Sequence, residues 1–191
     1  MDESSLRELL QRVSRGEVEV EEGVDQLRDL PFADLGYARV DHHRDLRLGF
    51  PEVVLGDCKT AAQIVGIVAE LGKGGRNVLV TRVSPALAAE VEARRGEGAP
   101  LEHRPEAKAL VLRQAPLEDL GRGEVLVVTA GTGDLPVAEE ACLTAELMGN
   151  QVGRLFDVGV AGIHRVLSQR KRLRDAAVVI VVAGMEGALA S

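Results

Sequence analysis

The sequence predicts an α/β protein with three parts in order: an N-terminal helical hairpin, a small α/β domain and a parallel-sheet domain. Three observations carry this. From Val125 onward, three strand, glycine-turn and helix-start units follow one another, which implies right-handed crossovers and a parallel sheet. Between Thr60 and Arg113, helix-period segments alternate with short apolar runs, an α/β pattern of its own. Aromatic residues are only 2%, with no Trp, so the core is built from Val, Leu, Ile and Ala.

The opening segment takes Ser4-Ser5 as a helix cap, with Leu6, Leu9, Leu10 and Val13 on one face. Gly16 breaks that helix. Val20–Leu30 forms a second one through Val24, Leu27 and Leu30, and Pro31 ends it. This hairpin, residues 4–30, reads as a packing or oligomerisation element. The α/β part spans 37–113. Thr60–Leu71 is a helix with Ile64, Ile67, Val68 and Leu71 on its apolar face. Asn77–Val83 is a strand, Pro85–Arg95 a helix, and Leu101–Arg104 and Ala107–Arg113 are two further strands. Gln114–Gly123 carries a proline and two glycines and reads as a linker, dividing a domain at 1–120 from one at 121–191.

The chain is organised around Val125–Gly149. Val125–Thr129 is a continuous apolar run suited to a strand buried on both faces. Ala130–Asp134 supplies a tight turn, Asp134 caps a helix, and Pro136 sits where a first turn tolerates proline. Val137, Ala141, Thr144 or Ala145, and Met148 recur at helical spacing before Gly149-Asn150 stops the helix. Strand, glycine turn and helix start form an anion pocket of free N–H groups at a dipole's positive end. Asp134 is itself acidic, so it accepts hydrogen bonds from a ribose hydroxyl or from the turn. A purely structural glycine turn is the alternative. Gln151–Val158 and Ala176–Ala183 read as further strands, the latter buried. Their turns bring His164, Arg165 and Glu186 to the same sheet edge as Asp134.

Composition excludes several classes. Lys+Arg 23 against Asp+Glu 30 gives a net charge of −7, which argues with the scarce aromatics against nucleic-acid binding. The longest strongly apolar stretch, Ala176–Gly184, is too short to span a bilayer. Met1-Asp2-Glu3 is acidic and no apolar signal region follows, so a cytoplasmic location is expected. Cys58 and Cys142 have no metal-ligand spacing and read as reduced thiols, Cys142 in the core.

Chemistry is densest at Tyr37–Pro51, where Asp41, His42, His43, Arg44, Asp45 and Arg47 crowd into seven positions. Adjacent histidines on a regular strand point to opposite faces, so no metal site is read there. A charged, solvated segment is the ordinary alternative. Glu186 lies in a glycine-flanked turn after a very apolar strand, where burial would suit it to proton transfer. His164 has the plain alternative of covering a helix start, and Arg165 that of a surface cation.

The turn GTGDLPVAEEA resembles the opening turn of the PurE-type carboxylase domain, which acts on aminoimidazole ribonucleotide. It is still more similar to LarB, the PurE-like family that starts nickel-pincer nucleotide synthesis. Gly133 stands where those turns carry serine. Arg44, Arg47, Gly49 and Glu52 resemble the LarB N-terminal signature. Gly56-Asp57-Cys58-Lys59-Thr60 is similar to its Gly-x-Gly-Lys-Thr, with Cys58 replacing the second glycine. DVGVAGIHR and VVIVVAGMEGALAS resemble the later segments in the right order.

The resemblance implies a flavodoxin-like, three-layer PurE-like domain in 121–191, incomplete at Ser191. It implies carboxylation of the pyridinium ring of nicotinic acid adenine dinucleotide by carbon dioxide or bicarbonate, and hydrolysis of the phosphoanhydride with release of AMP. Glu186 would be the base and His164 its catalytic neighbour. Gly131, Thr132, Gly133, Asp134 and Arg165 would hold the ribose, phosphate and reacting pocket. Arg44, Arg47 and Lys59 would grip from the N-terminal domain. No tightly bound cofactor is implied, with Mg2+ left open, and the partners implied are the dinucleotide and further copies of the chain, an octamer. The family's nucleophilic cysteine falls beyond Ser191 in this comparison, and neither Cys58 nor Cys142 occupies its place. Two other functions stay open: a PurE-type carboxylase or mutase of aminoimidazole ribonucleotide, and a non-catalytic nucleotide-binding or assembly module.

Overall fold

The structure is a computed structural model and describes residues 3–27, 32–44, 48–96 and 100–191. Helices α1 (Glu3–Ser14) and α2 (Val20–Leu27) form the N-terminal hairpin, separated at Gly16 with φ +70°. Leu9 and Val18 are buried in it, and Gly23 faces Val13 so closely that a Cβ would lie 3.0 Å from Val13 Cγ2. The predicted apolar faces are partly wrong, because Leu10 and Val24 are exposed and Gly23 occupies the inner position. Leu30 and Pro31 lie outside the described residues. A short antiparallel ribbon follows, β1 (Phe32–Asp34) and β2 (Arg39–Asp41), with Phe32 opposite Asp41. The sequence reading did not anticipate it.

The first sheet has the order β3-β4-β6-β5: β3 (Val54–Leu55), β4 (Val78–Thr81), β5 (Leu101–Arg104) and β6 (Ala109–Leu112). β3 and β4 are parallel and the other pairs antiparallel. Strand alternation divides its side chains. Val78 and Val80 face helices α3 (Ala61–Leu71) and α4 (Pro85–Arg95), where Ile64 and Val91 are fully buried, while Leu79 and Val111 face the other way. Thr60 caps α3 in a reciprocal capping box with Gln63, and Ser84 with Pro85 starts α4.

The second sheet has the order β8-β7-β9, all parallel: β7 (Val125–Thr129) is flanked by β8 (Val152–Leu155) and β9 (Val178–Val182). Helix α5 (Leu135–Leu147) covers the face carrying Val127. Two short helices, α6 (Ile163–Leu167) and α7 (Arg170–Asp175), cover the face carrying Leu126 and Val128 through Val166 and Leu173. This is the expected three-layer α/β arrangement with a parallel sheet. Two details differ. β9 is a half-exposed edge strand rather than a buried one, with Val178 and Val179 open to solvent. The buried positions of α5 are Ala138, Cys142, Leu143 and Ala145, whereas Val137 and Met148 face solvent. That shift has a physical cause: α5 contacts both sheets. Ala138 and Cys142 pack on Val127, and Leu143 packs on Leu79, Ala109 and Val111 of the first sheet.

The segment between the sheets has no regular structure and closes on the end of α5, where Leu120 N donates to Gly149 O at 2.8 Å. Gly149 has φ +78°, and a Cβ there would fall 2.4 Å from Glu118 O. Both features demand glycine. Gly149→Ala should therefore destabilise the protein by at least about 1–2 kcal/mol from the backbone alone, read as a lower denaturant midpoint at unchanged slope. An unchanged midpoint would contradict this packing.

Candidate functional site

The strand order reverses at β7. Its outgoing turn leads to α5 on one face of the sheet, whereas the turn after β9 packs Leu189 against the opposite face. The two turns diverge and leave a crevice beyond the carboxyl ends of the strands, where open parallel sheets bind ligands. A cavity of about 450 Å³ lies there. Ala130, Gly131 and Asp134 line it from the β7 turn, Gly159, Val160, Ala161 and Arg165 from the β8 turn, and Gly184, Met185 and Glu186 from the β9 turn.

The corners are tied to one another by backbone hydrogen bonds. Ala130 N donates to Val182 O at 3.2 Å and Gly159 N to Ala130 O at 2.9 Å. A Cβ at Gly159 would meet Ala130 O at 2.7 Å, so glycine is what lets these two turns approach. Asp134 is satisfied by the turn: its Oδ2 accepts from Gly131 N at 2.9 Å. Arg165 Nη1 donates to Asp157 Oδ2 at 2.8 Å, which fixes one side of its guanidinium beside the cavity. Asp157 and Glu186 both take left-handed backbone, with φ +58° and +47°. Non-glycine residues in that region store strain, and such residues concentrate at ligand sites.

Of the residues singled out from sequence, Gly131, Asp134, Arg165 and Glu186 line this one cavity. Glu186 is exposed at its rim, contrary to the expected burial. Thr132 and Gly133 belong to the same turn but are exposed and do not line it. Nothing lies within 4 Å of a Cβ at Gly133, so serine would fit there too. His164 is exposed on α6 and also outside the lining; one helical step sends Arg165 inward instead. Asp157 was not singled out, and an acidic residue directly before a strand-end glycine turn is the signal that could have found it.

The N-terminal candidates lie elsewhere. Lys59 Nζ donates to Leu55 O at 2.8 Å at the end of β3. Cys58 has φ +65°, the left-handed conformation that the glycine it replaces would adopt freely. Arg44 Nε lies 3.7 Å from Asp41 Oδ2, and Arg47 lies outside the described residues. Glu52 acts on the backbone, its Oε2 accepting from Asp41 N at 2.7 Å. Sequence reasoning missed Glu70, which meets His42 across 28 positions at 3.1 Å; both are buried. Burial opposes ionisation of Glu70, but hydrogen bonds from Lys73 and His42 outweigh it and hold the carboxyl below its ordinary range.

Other groups are structural. Burial pushes the Cys142 thiol up to about 11, so it is inert at neutral pH. A smaller cavity of about 280 Å³ between the two sheets is lined by Arg104, Glu139 and Arg154. There Glu139 and Glu146 bracket Arg154 and raise its affinity for its proton, so its charge is spent on α5. Among the described residues, no three His, Cys, Asp or Glu side chains could jointly hold a metal ion, and no helix is long and apolar enough to cross a membrane.

Fold and crevice define an α/β protein with a cavity at the strand-order reversal of a parallel sheet. The family described as LarB/PurE-like N-terminal domain matches residues 32–114, and the chain belongs to this LarB-like family, a group related to carboxylase-type enzymes. The chain is also similar to the uncharacterised protein MJ0165 of Methanocaldococcus jannaschii, at 34% identity over 192 residues, 98% of this chain and 75% of that protein.

The ionised Glu70 makes a pH prediction. Its folded carboxyl titrates below the unfolded value of about 4.3. Its contribution is present above that pH and is lost as pH falls through the lower folded value. Glu70→Gln should therefore flatten the acid limb of a stability-versus-pH curve below about pH 5; an unchanged limb would contradict the ionised assignment.

Proposed function

We propose that the chain serves the carboxylation of the pyridinium ring of nicotinic acid adenine dinucleotide, with hydrolysis of its phosphoanhydride, at the start of nickel-pincer nucleotide synthesis. The observation that carries this reading is the single crevice shared by three glycine corners in a member of the LarB family. The motif segments at those corners support a PurE-like character for the second sheet. At the β7 turn the Ala130 and Gly131 amides are taken by Val182 O and Asp134 Oδ2, so the free N–H groups expected from the sequence are not offered by the lining, and a ribose phosphate there would fall to Arg165. Arg165, held by Asp157, offers its remaining donors to a carboxylate.

In the proposed reaction a ring C–H becomes C–CO2⁻, so one proton must leave the ring. Glu186 at the rim is the group proposed to accept it. Anhydride cleavage adds one water across the P–O–P bond and yields AMP and the carboxylated mononucleotide. A pyridinium is electron-poor, so a nucleophile must first add to the ring; once the ring has attacked carbon dioxide, loss of the ring proton to Glu186 and departure of that nucleophile restore the pyridinium. Cys142 is buried in α5 and Cys58 does not line the crevice, so neither supplies that nucleophile there.

Calorimetry with nicotinic acid adenine dinucleotide tests the binding, and a carboxylation assay with bicarbonate offered both this substrate and aminoimidazole ribonucleotide tests the chemistry. The proposal expects dinucleotide binding and turnover of the dinucleotide alone. Turnover of only the purine precursor would replace it with the PurE-type activity, and binding without turnover with the non-catalytic module. Glu186→Gln should cut turnover about 10²–10⁴-fold and leave binding intact; unchanged turnover would remove Glu186 from proton transfer.

A further inference from the structure

The described residues carry a second ionic centre that the crevice does not use. His42 and Glu70 are each 7% exposed. His42 Nε2 lies 3.1 Å from Glu70 Oε1, and His42 Nδ1 lies 3.1 Å from Arg76 Nη2. A guanidinium can only donate, so Nδ1 accepts from Arg76 and the Nε2–H donates to Glu70. The second carboxylate oxygen of Glu70 meets Lys73 Nζ at 2.6 Å. The ring is thus held from both nitrogens, in one tautomer and one orientation.

What this fixes is a turn. His42 sits in Asp41–Arg44, just after β2, while Glu70 sits on α3, a capped helix of the first core. The same turn is held from a second side, where Glu52 Oε2 accepts from Asp41 N and Asp41 Oδ1 accepts from His43 N at 3.0 Å. Arg44 leaves this clamp incompletely satisfied. Its Nε is buried without a hydrogen bond, with Asp41 Oδ2 at 3.7 Å as its ion-pair partner, and its side chain is 39% exposed. A buried carboxylate is a costly way to pin a surface turn, since an apolar contact would do it without desolvating a charge. A carboxylate at 3.7 Å leaves that guanidinium N–H short of a hydrogen bond, which a phosphate oxygen would complete.

We propose that Glu70, acting through His42, is a positioning residue: it holds the Asp41–Arg44 turn so that Arg44 is preset to receive a phosphate of the substrate. The substrate's identity rests on the dinucleotide reading above; the anchoring of the turn does not. Glu70→Ala leaves the Nε2–H without an acceptor, whereas Glu70→Gln keeps a carbonyl oxygen there.

Two measurements on the full chain test this. In the ligand-free protein, Glu70→Ala should speed amide exchange at Asp41 and His43 at least tenfold and leave β7 unchanged; Glu70→Gln should restore protection. By calorimetry, Glu70→Ala should weaken nicotinic acid adenine dinucleotide at least tenfold. Arg44→Ala should then add no further loss to Glu70→Ala, because the arginine has already lost its placement. Unaltered exchange at Asp41 and His43 overturns the proposal, as does a loss that adds in full to that of Arg44→Ala. If Glu70→Ala does not fold, Arg76→Ala, at a half-buried position, carries both arms with the same outcomes. A wild-type chain that ignores the dinucleotide defeats the substrate reading, while the exchange arm still decides the anchor.

Discussion

Parallel pairing of β7 on both of its edges is the constraint from which the rest of the second sheet follows. Val125 stands opposite Val152 on one side and Val178 on the other. Parallel strands put all three carboxyl ends at one edge, so their three outgoing turns must meet there. Burial holds the strand in that register. Leu126 and Val127 are fully buried and Val128 is 1% exposed, each contributing about 1.5–3 kcal/mol relative to an exposed side chain. A slip of one residue would exchange the faces of Leu126 and Val127 and would also dismantle the crevice.

Helix α5 carries this geometry to the first sheet. Cys142 and Leu143 are sequence neighbours, yet one packs on β7 and the other on the sheet of β4 and β6. The helix start supplies Asp134 to the crevice, and its end receives the segment joining the sheets through Gly149. A single element therefore serves as wall of the candidate site, as cover of one sheet and as joint to the other. The carboxylates Glu139 and Glu146 on its surface bind Arg154 of β8, which ties α5 to the crossover it begins.

The elements whose signals are local were legible in the sequence. Ser84-Pro85 and Arg95-Gly96 bound α4 at its observed ends, and the apolar run Val125–Thr129 is β7. The convergence of Asp134, Arg165 and Glu186 was legible, because strand–turn–helix order alone sets which edge a turn occupies; His164, expected with them, faces away because helix phase decides which neighbour turns inward. What failed depends on distant partners. The phase of α5 was misread because a helix facing two sheets has two buried stripes, which blurs a one-sided apolar period. β9 looks buried by composition, but Val178 and Val179 stand at a sheet edge that composition cannot reveal. The pairing of His42 with Glu70 spans 28 positions and has no sequence signature.

Whether the three corners form one site is read by titrating isotopically labelled protein with nicotinic acid adenine dinucleotide and following the amide resonances of Gly131, Gly159 and Gly184. One shared site requires that all three shift together along one binding curve. Shifts confined to a single corner, or three separate curves, would contradict it.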